Sequence, residues 1–258
     1  MGILDMFKRK PDSGKGTTTP DAMTKEGREA IRINPNDAKA HYNLGVAYYD
    51  QGKLDAAVKE YKEAIRINPN DAKSHYNLGN AYYAQGKLDA AVEEYREAVR
   101  INPNYAEAHN NLGIAYDAQG KLDAAIKEYQ EALRIDPNDA EAHNNLGLAY
   151  DAQEKLDAAV VEYREALRIN PNDAKAHNNL GNAYDAQGKR DAAVEEYTQA
   201  LRIDPNYATA HYNLGIAYDM QGKLDEAIRE YKEALRINPN FAEAHKNLEI
   251  VQKKLKRS

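Results

Sequence analysis

The residues with the most obvious chemical potential are the histidines, which recur at one fixed interval. Equivalent side chains in neighbouring helical repeats lie at least about 10 Å apart, whereas Zn²⁺ needs nitrogens at roughly 2.0–2.1 Å. We therefore expect no metal site and a structural role for each imidazole. Buried neutral imidazoles would have to become charged below about pH 6, so we also expect a loss of stability in acid. The histidines, 34 residues apart, are His41, His75, His109, His143, His177, His211 and His245.

Other catalytic groups are absent or lack partners. The sequence contains no Cys, which excludes disulfides, thiolate catalysis and Cys-based zinc sites. No hydroxyl nucleophile is spaced to meet a base, since the repeat fixes the histidine positions. Neighbouring carboxylates such as Glu93 and Glu94 fit the solvated face of a helix. The sequence therefore predicts that the protein is not an enzyme and needs no cofactor.

The histidine interval extends to almost the whole chain of 258 residues, which carries a net charge of −6. A period of 20–50 residues is typical of solenoids. A flexible N-terminal segment with a short amphipathic stretch is predicted at 1–20, a half repeat consisting of one helix at 21–37, and a C-terminal capping helix with a basic tail at 242–258. Between them, six full repeats are predicted at 38–71, 72–105, 106–139, 140–173, 174–207 and 208–241.

Each repeat has the sequence signals of two α-helices, as the first full repeat illustrates. Asn36 and Asp37 offer capping oxygens to a first helix. Apolar residues follow at helical spacing until Gly52, a typical C-terminal glycine. A second helix starts near Leu54 and must end before Pro69. The predicted fold class is all-α.

The small residues of these helices resemble the pattern of the tetratricopeptide repeat family. Counted from Ala38, Gly45, Ala57 and Ala64 occupy positions 8, 20 and 27, and Tyr61 occupies the aromatic position 24. The repeats are most similar to the superhelical repeats of O-GlcNAc transferase and of bacterial scaffold proteins, although His replaces the usual Trp at position 4. The resemblance implies an α-solenoid of antiparallel helix pairs that forms a right-handed superhelix. It also implies a non-enzymatic adaptor or scaffold that binds proteins or peptides.

In that family the first helix of each repeat lines a concave groove, chiefly through positions 2, 5, 6, 9, 12 and 13. Position 6 is Asn in every repeat here, although Asn is not favoured within a helix. In O-GlcNAc transferase a similar column of Asn holds the backbone of an extended peptide, since an amide both donates and accepts. The alternatives are an inherited duplication or a hydrogen bond between helices.

The other groove positions change along the chain from aromatic to acidic. An acidic row favours a partner that carries Lys or Arg. We therefore expect an extended and basic peptide as the partner. The expected peptide-binding residues are Tyr42, Asn43, Tyr49, Tyr76, Asn77, Asn80, Tyr83, Asn110, Asn111, Asp117, Asn144, Asn145, Asp151, Asn178, Asn179, Asn182, Asp185, Tyr212, Asn213 and Asp219.

Two alternative functions remain open at this stage. One is a self-assembling scaffold whose copies join end to end or through their convex faces, and the other is a membrane-surface tether that uses residues 1–10. The acidic array disfavours nucleic acid along its length. With no signal peptide or transmembrane segment recognisable, a cytoplasmic location is expected, with peripheral membrane association as its variant. Gly27, Glu154, Arg190 and Glu249 depart from the repeat pattern, and we expect the loop at Glu154 to relax.

Overall fold

The computed structural model describes residues 19–256, which form fourteen α-helices and contain no β-strand. This confirms the all-α solenoid class. The chain divides into two compact units, unit 1 up to Pro137 and unit 2 from Asn138. Unit 1 contains α1 (Pro20–Ile33), α2 (Ala38–Asp50), α3 (Leu54–Ile67), α4 (Ala72–Ala84), α5 (Leu88–Ile101), α6 (Ala106–Ala118) and α7 (Leu122–Ile135). Unit 2 contains α8 (Ala140–Ala152), α9 (Leu156–Ile169), α10 (Ala174–Ala186), α11 (Arg190–Ile203), α12 (Ala208–Met220), α13 (Leu224–Ile237) and α14 (Ala242–Leu255).

Two of the sequence expectations concern membranes. None of the fourteen helices combines the length and the apolar character that crossing a bilayer requires. The amphipathic stretch predicted at residues 1–10 lies outside the described residues.

The ends of the helices follow from their capping residues. Before α8, the Asp139 side chain accepts hydrogen bonds from the backbone N–H groups of Glu141 and Ala142, which satisfies donors left open by the first turn. After α4, Gly86 adopts a left-handed φ of 73°, which glycine reaches without steric cost. These caps fix where each first helix stops and the second can start.

Glu154 occupies the glycine position after α8, and the expectation that its loop relaxes is wrong. Its φ is 58°, in the same left-handed region as the equivalent glycines. The hydrogen bond from Lys155 N to Tyr150 O, 2.9 Å long, is retained, as is its counterpart from Lys121 N to Tyr116 O in unit 1. The helix end therefore keeps its shape at the cost of a strained backbone, since a residue with a Cβ is disfavoured there.

A tyrosine packed on a glycine joins the two helices of each pair. Tyr95 on α5 is 0% exposed, and its ring lies against Gly79 on α4. A Cβ added at Gly79 would lie 2.6 Å from Tyr95 Cε1, far inside a normal contact. Only glycine allows this approach. The same contact joins Gly45 to Tyr61, Gly113 to Tyr129, Gly147 to Tyr163, Gly181 to Tyr197 and Gly215 to Tyr231.

Within each unit, the second helix of one pair packs against the first helix of the next. Arg28 donates to the Tyr48 hydroxyl from Nε and Nη2 at 3.0 and 2.8 Å, and Arg164 Nε donates to the Tyr184 hydroxyl at 2.9 Å. The first helices of successive pairs also touch: α2 with α4, α4 with α6, α8 with α10, and α10 with α12. We call the side formed by α2, α4 and α6 the inner face of unit 1. The side formed by α8, α10, α12 and α14 is the inner face of unit 2.

Candidate functional site

The inner face of unit 1 is rich in tyrosine. The Tyr76 ring centroid lies 6.0 Å from that of Tyr95 and 5.0 Å from that of Tyr105. Tyr42, which occupies the equivalent position on α2, lies 6.1 Å from Tyr61. Tyr42 and Tyr76 remain partly exposed. They therefore present aromatic area whose position is fixed by the buried rings behind them.

Tyr49 and Tyr83 extend this aromatic surface by about two helical turns. The Tyr49 hydroxyl is buried without a hydrogen-bond partner, and burial, followed by the proximity of Tyr76, raises its pKa to about 12. Burial also raises the pKa of Tyr83, with a contribution from Asp117. Both phenols therefore stay neutral at physiological pH.

The asparagine column in unit 1 is a hydrogen-bond ladder between repeats, and most of it is buried. Asn77 Nδ2 donates to the Tyr42 hydroxyl at 3.1 Å and to the backbone carbonyl of Lys73 at 2.9 Å. Asn111 Nδ2 donates to the Tyr76 hydroxyl and to Asn80 Oδ1, each at 3.0 Å. The expectation of an exposed column therefore does not hold for Asn77 and Asn111, whose exposed fractions are 8% and 6%.

Asn80 is also buried rather than displayed on the inner face. Its Oδ1 accepts from the Tyr95 hydroxyl at 2.7 Å as well as from Asn111. Asn43, on the first of these helices, is exposed, and within residues 19–256 no first helix precedes α2 to which the ladder could extend. Asn110 is buried. Asp117, in contrast, is exposed.

The ladder continues in unit 2 with asparagine in place of tyrosine. Asn179 Nδ2 donates to Asn144 Oδ1 at 3.0 Å. Asn213 Nδ2 donates to Asn178 Oδ1 and to Asn182 Oδ1, each at 3.0 Å. Asn178 is buried, whereas Asn182 is exposed. Asn144, Asn145, Asn179 and Asn213 are partly exposed.

Tyr212 joins the last step of this ladder to an aromatic pair. Its hydroxyl accepts from Asn247 Nδ2 at 3.2 Å. Its ring centroid lies 4.7 Å from that of Phe241 and 6.0 Å from that of Tyr231. The aromatic surface expected at the N-terminal end therefore recurs near the end of unit 2.

Asp151, Asp185 and Asp219 form an acidic row on the inner face of unit 2, and all three are partly exposed. Burial raises the pKa of Asp151. An unpaired carboxylate at these positions is therefore less well solvated than one in water. A cation brought to the row would relieve that cost.

One member of the acidic row already holds a cation from the chain itself. Lys254 on α14 donates from Nζ to both carboxylate oxygens of Asp219, at 2.8 and 2.9 Å. The Arg190 guanidinium lies 4.0 Å from Asp185 Oδ1, beyond hydrogen-bond distance. The residues that align with Lys254 one and two repeats earlier are Met220 and Ala186, which carry no charge.

Sequence reasoning missed the partners of the histidines. His75 Nδ1 lies 2.7 Å from Glu94 Oε2, and its Nε2 donates to the Pro69 carbonyl at 3.2 Å. The same pairing, always to a Glu 19 residues later, involves His41, His109, His143, His177 and His211. The sequence did contain this pattern, since a Glu stands 19 residues after each of these six histidines.

For His75 and His211, the pairs with glutamate argue against the expectation that charging the imidazoles in acid destabilises the protein. Both ring nitrogens of His75 face acceptors, and the bond to Glu94 raises its pKa. For His211, burial lowers the pKa, but the bonds to Glu230 and to the Pro205 carbonyl outweigh it and the net shift is upward. These imidazoles are stabilised in the charged form. Within residues 19–256, no group of three or more His, Asp or Glu side chains is arranged to hold a metal ion.

Comparison with known proteins identifies the family to which this fold belongs. The family model described as the cilia and flagella-associated protein 70 C-terminal domain, a tetratricopeptide repeat model, matches residues 11–252. No curated protein matches the chain significantly.

Several solved structures share the fold. MamA is 30% identical, with a TM-score of 0.59 over 64% of this chain and 97% of MamA. PilF of Pseudomonas aeruginosa is 20% identical, with a TM-score of 0.72 over 90% of this chain and 99% of PilF. A chain of the APC/C hetero-tetramer Cut9-Hcn1 is 20% identical, with a TM-score of 0.73 over 90% of this chain. The match covers 46% of that chain, so the present sequence spans about half of its length.

Proposed function

Since the chain belongs to the tetratricopeptide repeat family, whose repeats generally mediate protein–protein interactions, we infer that it is a non-enzymatic adaptor. We propose that the inner face of unit 2 binds an extended peptide segment carrying Lys or Arg. The observation that supports this best is the salt bridge in which Lys254 Nζ donates to both carboxylate oxygens of Asp219, at 2.8 and 2.9 Å. The chain itself thus supplies an example of an ammonium group bound to this row.

Asp151 and Asp185 are the positions proposed for the partner's cations. The aligned positions one repeat later carry Ala186 and Met220, so the chain places no Lys there as it does at Asp219. Charged hydrogen bonds between ammonium and carboxylate are stronger than neutral ones. A partner with basic residues in an extended conformation would therefore gain more on this face than a neutral or acidic one.

The asparagine ladder has a different task in this proposal. Pairing an amide with a peptide unit at two points needs amide hydrogens, and Asn77, Asn111 and Asn213 each direct Nδ2 to two acceptors within the chain. We therefore assign the ladder to fixing the spacing of successive first helices.

On the inner face of unit 1, we assign partner contacts to the tyrosines. Tyr42, Tyr49, Tyr76 and Tyr83 present partly exposed aromatic area, and Tyr is a common residue of interfaces. These rings can pack against aliphatic stems as well as cationic groups.

Two labelled peptides would test the basic-partner proposal. In one peptide Lys alternates with Ser, and in the other Glu replaces each Lys. We expect the Lys peptide to bind in fluorescence anisotropy titrations, with an affinity that falls as salt is added. The double variant Asp151→Asn with Asp185→Asn should weaken binding about tenfold or more.

The matched control is Glu195→Gln, which removes a negative charge from α11, a second helix in the same unit. It should leave the affinity unchanged. Equal affinity for the Glu peptide, or equal losses in control and double variant, would contradict the proposal. Thermal melts of all variants must agree with the parent before affinities are compared.

A further inference from the structure

The two terminal helices are complementary halves of one repeat. Among the described residues, α1 is a second helix with no first helix before it, and α14 is a first helix with no second helix after it. Each therefore exposes a face that is covered in the interior repeats. Ile33 on α1 is 73% exposed, whereas its equivalent Ile67 is partly buried. His245 on α14 is exposed, whereas His41 is buried.

The histidine–glutamate pairs show what each exposed face lacks. In the interior, the His of a first helix pairs with a Glu of the following second helix at 2.6–2.7 Å, six times over. Glu26 aligns with Glu60, but no described first helix precedes α1 to supply a His. His245 aligns with His211, but no described second helix follows α14 to supply a Glu. Among the described residues, α1 thus carries the Glu and α14 the His of a pair that is not formed within the chain.

The sizes of the packing residues are exchanged in the same sense. In the interior, the first helix contributes glycine and the second helix tyrosine, as at Gly215 and Tyr231. At the ends, the first helix α14 carries Glu249 and the second helix α1 carries Gly27. A large residue thus stands where a small one is usual, and the reverse holds on the complementary face. Gly27 is nevertheless buried against α2, since a Cβ built there would lie 3.1 Å from Leu44 Cβ, so this exchange of sizes is not itself evidence of an open slot for Glu249.

We propose that α14 of one copy docks on α1 of a second copy and forms a complete repeat, with His245 of the first copy paired to Glu26 of the second. The occupant of each face is a second copy of this chain, because exposed Glu26 and exposed His245 are the two halves of the ion pair that joins the helices of every interior repeat. The contact joins different surfaces of the two copies. It is therefore heterologous and can continue head to tail into longer assemblies.

Charge reversal tests this contact in the full chain. The weight-average mass would be measured by sedimentation equilibrium from about 1 μM to about 1 mM, the range in which weak interfaces become populated. We expect the mass of the parent chain to rise with concentration. Glu26→Lys places Lys opposite His245, and His245→Glu places two Glu opposite each other, so each change alone should weaken association about tenfold or more.

The double variant carrying Glu26→Lys and His245→Glu restores opposite charges and should associate again. An equimolar mixture of the two single variants should also associate. Glu243→Lys on α14 changes charge away from the proposed pair and should behave like the parent. Because Glu26, His245 and Glu243 are all exposed, the thermal melts of these variants should coincide.

Three results would overturn the proposal. The first is a parent chain that stays monomeric throughout the concentration range. The second is single variants that associate like the parent. The third is a double variant that folds but does not associate, in an experiment in which both single variants have also lost association. Since the experiment contains no peptide, its outcome is independent of the proposed peptide-binding function.

Discussion

Replacing Glu154 with glycine should stabilise the protein by relieving strain in the backbone. Glu154 is held at a φ of 58°, and a left-handed conformation costs a residue with a Cβ about 1–2 kcal/mol. Glycine removes that cost but adds about 0.4–1 kcal/mol of backbone entropy to the unfolded chain. The net gain in unfolding free energy is therefore about 0.5–1 kcal/mol. For a chain of this size, that corresponds to a rise in Tm of about 1–4 °C.

Packing contributes little to this estimate, since the equivalent glycines lie in open space. Nothing lies within 4 Å of a Cβ built at Gly120 or Gly188. Two further variants isolate the backbone term. Glu154→Ala removes the charge but keeps a Cβ, so it should not produce the gain. Gly188→Glu, the reverse change one repeat later, should destabilise the protein by a similar amount.

The assay is urea unfolding followed by far-UV circular dichroism, with thermal melts as a second measure. The slope of free energy against urea must stay constant among the variants, because a changed slope would indicate a change in the unfolding units of a repeat protein. Glu154→Ala stabilising as much as Glu154→Gly would refute the reasoning. The carboxylate, and not the backbone angle, would then be the source of the strain.

Three more predictions concern the core and the histidine pairs. Gly147→Ala should destabilise by about 1–2 kcal/mol in urea unfolding, since overpacking against Tyr163 costs about 1–3 kcal/mol and the gain in helix propensity is about 1 kcal/mol; no loss would mean that the ring can move aside. Tyr163→Phe should be neutral or stabilising because the buried Tyr163 hydroxyl has no hydrogen-bond partner. Tyr197→Phe loses a 2.9 Å hydrogen bond to Asn182 Oδ1 and should cost about 0.5–1.5 kcal/mol of unfolding free energy in the same assay. Equal effects of the two variants would contradict this prediction. The pKa values of His75 and His211 are raised from 6.5, so their contribution to stability should be complete below about pH 6.5 and disappear as pH rises through the folded-state values. His75→Gln should reduce the slope of the unfolding free energy against pH. A parent unfolding free energy that rises with pH across this range would refute the assignment.

Most of the fold was predictable from sequence because each repeat contains the residues that start and end its helices. The 34-residue period, the glycine after five of the first helices and the proline after each second helix defined fourteen segments that the structure forms as helices. The contact between Gly45 and Tyr61 followed from the small and aromatic positions of the family pattern. The left-handed backbone of Glu154 was not predictable. A single departure from the pattern does not reveal whether the loop changes its conformation or the residue adopts the strained one.

The inner faces were predicted less completely, because their contacts depend on how one repeat is rotated against the next. The sequence showed an unbroken asparagine column but not the direction of its amides. In the structure, Asn111 reaches back to Tyr76 and Asn80 and becomes buried. The sequence distance between Lys254 and Asp219 gave no sign of the salt bridge that joins them. The glutamate partners of the histidines were visible in sequence as a fixed spacing but were not interpreted.

Locating a bound peptide would show whether the inner face of unit 2 is the binding site. A photoreactive group on the alternating Lys–Ser peptide would be cross-linked to the parent chain, and the modified residues identified by mass spectrometry. We expect cross-links to the first helices of unit 2, namely α8, α10 and α12, and their loss in the variant carrying Asp151→Asn with Asp185→Asn. Cross-links confined to the second helices α9, α11 and α13, unaffected by that variant, would contradict binding at the inner face.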